Sequence, residues 1–446
     1  MRAVPLVLVA LLFAGCTTPA ANVPFLPPAP TAASMVFDLV SLEHEGGEPT
    51  MGIDSEGRAY VISDASIFRS DDQGATWTDV TPSPNNWPVG SLDPYIYVDR
   101  DTDRVYADHL YVGCSYLLWS DDHGASWTAN PGACGRPGND HQTVASGVPV
   151  GVPTVGYPKV VYYGYNDAAP VGLGVLPNQG ATSVARSVNG GVAWEPAVIA
   201  IGPDHCGGLN GHIATAPDGT VYVPSAGCDE PVVAVSRDSG SSWEVTPIDT
   251  KGHGRSEPGD DPSLAVDDAG NAFLVWPGKD ARMYGALSTD AGKTFGAPFA
   301  VSPPHVNSSL MPTSVAGAAG RVAFAYYGTS DTVGDWKSVN SDDASKDTRW
   351  HVFVTYSLDA LSATPTWTTV QVTPDDDPVQ VGSIHNGGGG DPDRNLLDFF
   401  DMAAGPDGKI MIVFTDGCKT CDSPDTSRDS TTTVATLREG PVLVAS

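Results

Sequence analysis

Positive charge is what this sequence has least of. Its 446 residues carry 23 Lys and Arg against 53 Asp and Glu, a formal net charge of −30. A surface this acidic repels phosphate backbones and anionic headgroups, which argues against nucleic acid and against electrostatic docking on a membrane. Long apolar runs are also missing. The N-terminal apolar run, residues 6–13, is too short to span a bilayer, and no later segment is apolar enough to cross one. No apolar helical stripe is present, while 49 Gly and 38 Pro supply frequent turns. That combination favours an all-β chain over a helical or α/β one. A second CxxC to complete a zinc site is absent, as are EF-hand spacing and a Gly loop followed by Lys-Ser/Thr.

What is there begins with a targeting segment. Arg2 precedes the short apolar run, which ends in Phe13-Ala14-Gly15-Cys16. These residues resemble a lipoprotein lipobox, with Phe13 where Leu is usual. The resemblance implies export, cleavage before Cys16 and lipidation of its thiol; a plain secretory signal with an incidental cysteine is the alternative. Residues 1–16 are thus the signal, the Pro/Ala/Thr-rich residues 17–34 a flexible tether, and residues 35–446 one domain. The expected location is the outer face of a membrane, held by lipid alone. Six further cysteines, an even number in an exported chain, argue for disulfides. Sequence proximity suggests Cys114–Cys134, Cys206–Cys228 and Cys418–Cys421.

One pattern recurs five times. Ser70 to Trp77, Ser120 to Trp127, Ser187 to Trp194, Ser236 to Trp243 and Ser288 to Phe295 all read S-x-D-x-G-x-x-aromatic, with Asn189 in the acid position of the third. The acid, Asp72, Asp122, Asp238 or Asp290, suits a turn in which its carboxylate accepts backbone N–H groups. The glycine suits a positive φ, and the aromatic suits packing under the hairpin. These residues read as fold devices, not catalysts. A second repeat precedes the boxes, as in Glu48-Pro49-Thr50 leading to Asp54 and Gly57, and Asp261-Pro262-Ser263 leading to Asp267 and Gly270.

Together the repeats resemble the Asp-box, or BNR-repeat, sialidase-like β-propellers, most closely the exported proteins often labelled exo-α-sialidase. The resemblance implies four-stranded antiparallel blades of about 45 residues each. First-strand signals near residues 49, 93, 142, 212, 262, 312 and 398 predict seven blades, with six as the alternative. Blade 6 has a stretched box from Ser357 and Asp359 to Trp367; blade 7 has none, and residues 35–42 are expected to supply its fourth strand.

A sialidase site needs three arginines, a Tyr–Glu pair and an acid–base Asp. This chain has 15 Arg and no F/Y-R-I-P motif. Arg69 flanks a turn, and Arg58, Arg100, Arg104, Arg237 and Arg321 fall in turns or strand starts. Arg136, Arg255, Arg349 and Arg394 lie in loops able to reach the axis. An ordinary sialidase is disfavoured.

Repeat position points elsewhere. The residues just before the first strands are Glu48, Asp93, Asp140 with His141, His212, Asp260 with Asp261, and Asp398. They should converge on the axis, where Arg394 could join them. Three readings stay open. Ca²⁺ or another metal could be held, with Asp93, Asp261 and Asp398 as ligands. A carboxylate pair, drawn from Asp261, Asp398 and Glu48, could do hydrolytic acid–base work. The acids could otherwise simply cap turns. Loops at residues 331–349 and 375–394 carry further acids, and Trp87, Trp336, Tyr326 and Tyr327 suit either sugar stacking or blade packing. The expected function is a binding or scaffold propeller for a glycan or protein ligand at the channel mouth, more a binder than an enzyme. A glycoside hydrolase with a non-standard acidic site is the alternative.

Overall fold

The computed structural model describes residues 34–83, 91, 93–111, 114–130, 139–167, 180–205, 209–254, 261–331, 333, 347–384, 395–418 and 430–444. Those residues form a seven-bladed β-propeller of antiparallel sheets. The first strands are Thr50–Ile53, Pro94–Asp99, Asn139–Gly147, Ala214–Thr215, Ser263–Val266, Ser308–Ala316 and Asp401–Ala404. They neighbour one another in cyclic order, so they are the inner wall of a closed ring. Blade 7 takes its outermost strand, Val36–Glu45, from the other end of the chain, paired antiparallel with Thr431–Glu439. Two blades carry an extra short strand, Cys114–Ser115 in blade 2 and Gln380–Val381 in blade 6. No described helix is long and apolar enough to cross a membrane.

The repeated turns explain why the chain folds this way. In blade 1 the Ser70 hydroxyl accepts the Gly74 N–H at 2.8 Å and donates to Asp72 Oδ1 at 2.8 Å. Asp72 then accepts the Thr76 N–H at 2.8 Å and the Thr76 hydroxyl at 2.6 Å. Blades 2, 4 and 5 repeat this set through Asp122, Asp238 and Asp290. Donors aimed at these carboxylates lower their pKa, that of Asp290 to about 2. Asn189 accepts the Ala193 N–H at 2.9 Å, and Ala193 has no hydroxyl to add. The glycine is not alone in the left-handed region. Gln73, His123, Ser239 and Ala291 just before it also have φ between 56° and 59°.

Each turn aromatic packs against the preceding blade. Trp127 of blade 2 donates its indole N–H to the Val80 carbonyl of blade 1 at 2.9 Å. Trp77, Trp194, Trp243, Phe295 and Trp367 join the apolar clusters that separate their blades from the ones before. The core is therefore seven slabs between blades, not one central mass.

Several sequence candidates are structural. Arg58 pairs with Asp54, Glu56 and Asp71, Arg69 with Asp71, Arg104 with Asp121, and Arg237 with Glu244. Arg100 donates to the carbonyls of Ile53 and Ala404, and Arg321 to those of Val442 and Val444. Tyr326 and Tyr327 are fully buried in blade packing. Arg136, Arg255, Arg394, Asp260, Trp87 and Trp336 lie outside the described residues. So do Cys16, Cys134, Cys206 and Cys421, which leaves each suggested cysteine pair with one member outside.

Candidate functional site

Four strands alternating in direction put the first and third hairpin turns of every blade on one face of the ring. The starts of the inner strands lie at the opposite face. There the acids and histidines of several blades meet at the axis.

His141 is the centre. Blade 3 has a β-bulge between Asp140 and Thr143, and His141 sits in it with φ 47°. A bulge re-aims a side chain, and a left-handed non-glycine residue is held only where its surroundings demand it. The demand is visible. The His141 N–H donates to Asp93 Oδ2 of blade 2 at 3.2 Å instead of joining the ladder. Its carbonyl accepts the Asn210 amide of blade 4 at 3.1 Å. The ring, 95% buried, points across the channel: Nδ1 lies 2.6 Å from Asp261 Oδ2 of blade 5, and Nε2 lies 4.0 Å from Asp398 Oδ2 of blade 7. Asp93, Asp140 and His141 offer donor atoms within 4.8 Å of one another. One imidazole thus faces four carboxylates from four blades.

The electrostatics follow from burial. Burial pushes the Asp93 carboxyl up to about 7; His141 opposes the rise, and Asp140 and Asp398 add to it. Burial also raises Asp261 against the pull of the imidazolium. For His141 burial works against the charged form, but Asp261, Asp93 and Asp140 outweigh it and hold the ring well above its ordinary value. His212 shows the contrast. Half-buried beside His141 and with no acid to raise it, it is pushed down by desolvation to about 3 and stays a neutral ring. It stands edge-on to Tyr95 (4.7 Å) and Phe399 (5.7 Å), and Phe399 also meets His141 at 5.7 Å. The mouth therefore has an acidic half and an aromatic half.

The structure brings together Asp93, Asp140, His141, His212, Asp261 and Asp398 from the sequence candidates. Glu48 is buried with φ 52° just before the blade 1 inner strand. Arg349 is exposed at the start of the third strand of blade 6. Sequence reasoning missed Phe399, Tyr95, Gln142 and Asn210, whose residue types carry no signal of their own. It also missed Asp401, which pins three blades by accepting the Met51 N–H and the Thr313 hydroxyl, both at 3.2 Å. An acid at the first position of an inner strand, where blades 1 and 5 have Thr50 and Ser263, was the available clue.

The fold and site define a propeller with an acid–histidine cluster at one axial opening. No protein-family model matches the chain, and no curated protein matches it. Among solved structures it is similar to a protein of unknown function from Dyadobacter fermentans, at 13% identity and a TM-score of 0.47, over 92% of this chain and 100% of that one. It is similar to the intramolecular trans-sialidase from Ruminococcus gnavus at 12% identity and 0.45, over 93% and 99%. A third similar structure is the Aleuria aurantia lectin, at 10% and 0.43, over 74% and 97%. Likeness at this level does not bear on ligand or chemistry.

Proposed function

We propose that this chain is an exported, lipid-anchored propeller of the Asp-box type that binds a glycan or protein ligand at its channel mouth. One observation carries the reading: four carboxylates, a histidine and the Phe399, His212 and Tyr95 rings converge on one opening. Carboxylates accept hydrogen bonds from sugar hydroxyls or from protein amines, and aromatic edges give a ring something to pack on. The same acids repel an anionic sugar, so neutral or amine-bearing ligands fit this mouth better than sialic acids do. The lipobox-like end at Cys16 and the tether support display outside a membrane, and the six remaining cysteines support disulfides there.

The test is a glycan and peptide array probed with the purified chain. Binding should weaken at least about tenfold in Phe399→Ala and in Asp398→Asn. A wild-type chain that binds nothing, or variants that bind as well, would defeat the proposal. A second reading rests on the Asp261–His141 pair, which has the form of a base held by an acid. Turnover of a neutral fluorogenic glycoside, lost in Asp261→Asn or Asp398→Asn, would establish a glycoside hydrolase instead. Radiolabelled fatty acid should enter the wild-type protein in cells and not the Cys16→Ser variant.

A further inference from the structure

The cluster holds more acceptors than donors. Asp261 Oδ1, Gln142 Oε1 and Asn210 Oδ1 are buried without a hydrogen-bond partner among the described residues. Gln142 is 3% and Asn210 1% exposed. Their amide nitrogens donate to the backbone carbonyls of Asp93 and His141. Buried acceptors are costly to leave without donors, and they call for a cation or a donor-bearing ligand.

His141 is oriented for a cation. Asp261 takes Nδ1 at 2.6 Å, which keeps a proton there and makes Nε2 the nitrogen able to give up its proton to a metal ion. Nε2 faces Asp398 Oδ2 at 4.0 Å. Asp93 and Asp140 each offer an oxygen within 4.8 Å of a His141 ring nitrogen and of one another, close to the span of two donors about 2.0–2.2 Å from one ion. A carboxylate on the far nitrogen of a histidine is the usual way a metal-binding imidazole is aimed.

We propose that His141 Nε2, Asp93 and Asp140 bind one divalent transition-metal ion, with Asp261 positioning the imidazole and Asp398 as a flanking carboxylate beside Nε2. The ion displaces the proton of Nε2 to solvent and keeps the Nδ1–H on Asp261. One nitrogen with carboxylate oxygens suits Mn²⁺, Co²⁺ or Zn²⁺ better than Ca²⁺, which prefers oxygens alone. Among the three acids named for Ca²⁺ in the sequence, this keeps Asp93 as a ligand, assigns Asp261 to orienting the histidine, leaves Asp398 as a flanking acid, and adds Asp140. The proposal concerns the same mouth but needs no glycan. The two readings therefore fail separately.

The experiment uses the full chain, stripped with chelator and titrated with Zn²⁺, Mn²⁺, Co²⁺ and Ca²⁺ in the absence of any sugar. One ion should bind per chain, with proton release, and Co²⁺ should give the visible absorption of a nitrogen-and-oxygen site. Affinity should fall at least about 100-fold in Asp140→Asn and His141→Gln, and about 10–100-fold in Asp261→Asn. No binding to the folded wild-type chain, a preference for Ca²⁺, or unchanged affinity in His141→Gln would overturn the assignment. The Co²⁺ spectrum reads the wild-type protein, so it decides even if a variant fails to fold.

Discussion

Removing one hydroxyl from a repeated turn tests whether these turns hold the ring. Ser236 is fully buried; its Oγ accepts the Gly240 N–H at 2.8 Å and donates to Asp238 Oδ1 at 2.8 Å. Ser236→Ala leaves the buried Gly240 N–H without an acceptor, a cost of about 1–3 kcal/mol. The lost bond to Asp238 costs less, because that carboxylate is partly exposed and water replaces the donor. The sum is about 2–3 kcal/mol. An unfolding entropy of about 2.1 cal/mol/K per residue over about 400 residues gives a shift of ~2–4 °C in Tm. Ser241→Ala is the control: its hydroxyl is in the same turn but exposed, donating to the Asp238 carbonyl at 2.9 Å and accepting from Arg186 Nη1 at 2.6 Å, both where water can replace it. That change should stay within about 0.5 kcal/mol. Calorimetry or urea unfolding of both variants decides. A Ser236→Ala shift no larger than that of Ser241→Ala would refute the idea that the buried serine, and not the acid alone, fastens the turn.

Three other expectations follow from the same geometry. The blade 3 turn lacks the hydroxyl its counterparts use, so Asn189→Asp with Ala193→Ser should raise stability by about 0.5–1.5 kcal/mol, read as a higher urea midpoint. Leu443 is fully buried, its carbonyl accepts the Ala318 N–H, its N–H donates to Gly408, and Arg321 holds its neighbours. Truncation after Gly440 should therefore cost at least about 2 kcal/mol in the same assay. Burial raises Asp401 to about 7, so the folded state keeps a proton that the unfolded chain loses near its ordinary ~3.9. That contribution is whole below about pH 4 and is lost as pH rises through 7. Urea midpoints should fall between pH 4 and 7, and Asp401→Asn should flatten the slope by about one proton; an unchanged slope would clear Asp401 of the role.

How much of this was legible in the sequence depends on how far each interaction reaches. The S-x-D-x-G-x-x-W turns satisfy themselves within their own span, so Asp72 and Gly74 announce a hairpin without knowledge of anything distant. Seven inner strands could be counted for the same reason. The site is different. His141 meets Asp261 across 120 residues, and it does so because a bulge turns it out of the ladder. Position in the repeat nominated both residues, yet nothing in Asp140-His141-Gln142-Thr143 reveals the bulge. Glu48 shared the pattern and Asp401 did not, but it is Asp401 that joins blades 1, 6 and 7. Repeat position reports which side chains start near the axis. It does not report which of them the ring then uses for its own closure.

The crowding of acids at His141 argues that the mouth is held at a cost in stability, more than its backbone does, since Met311 of blade 6 is left-handed in a matching bulge. A left-handed non-glycine residue costs about 1 kcal/mol or more, and four acids around one imidazole repel each other once ionised. His141→Asn relieves the backbone, because Asn tolerates that conformation, but strands the carboxylates without their cation. With metal chelated at pH 7 it should destabilise by about 3 kcal/mol, as breaking a buried pair on one side does. Adding Asp261→Asn removes a carboxylate from the cluster and should recover much of that loss, since a neutral pair in place of a buried ion pair is often neutral or stabilising. Urea unfolding of the two variants beside the wild type checks the order. If His141→Asn alone costs nothing, or the second change gives no recovery, the imidazole is not what holds these acids together.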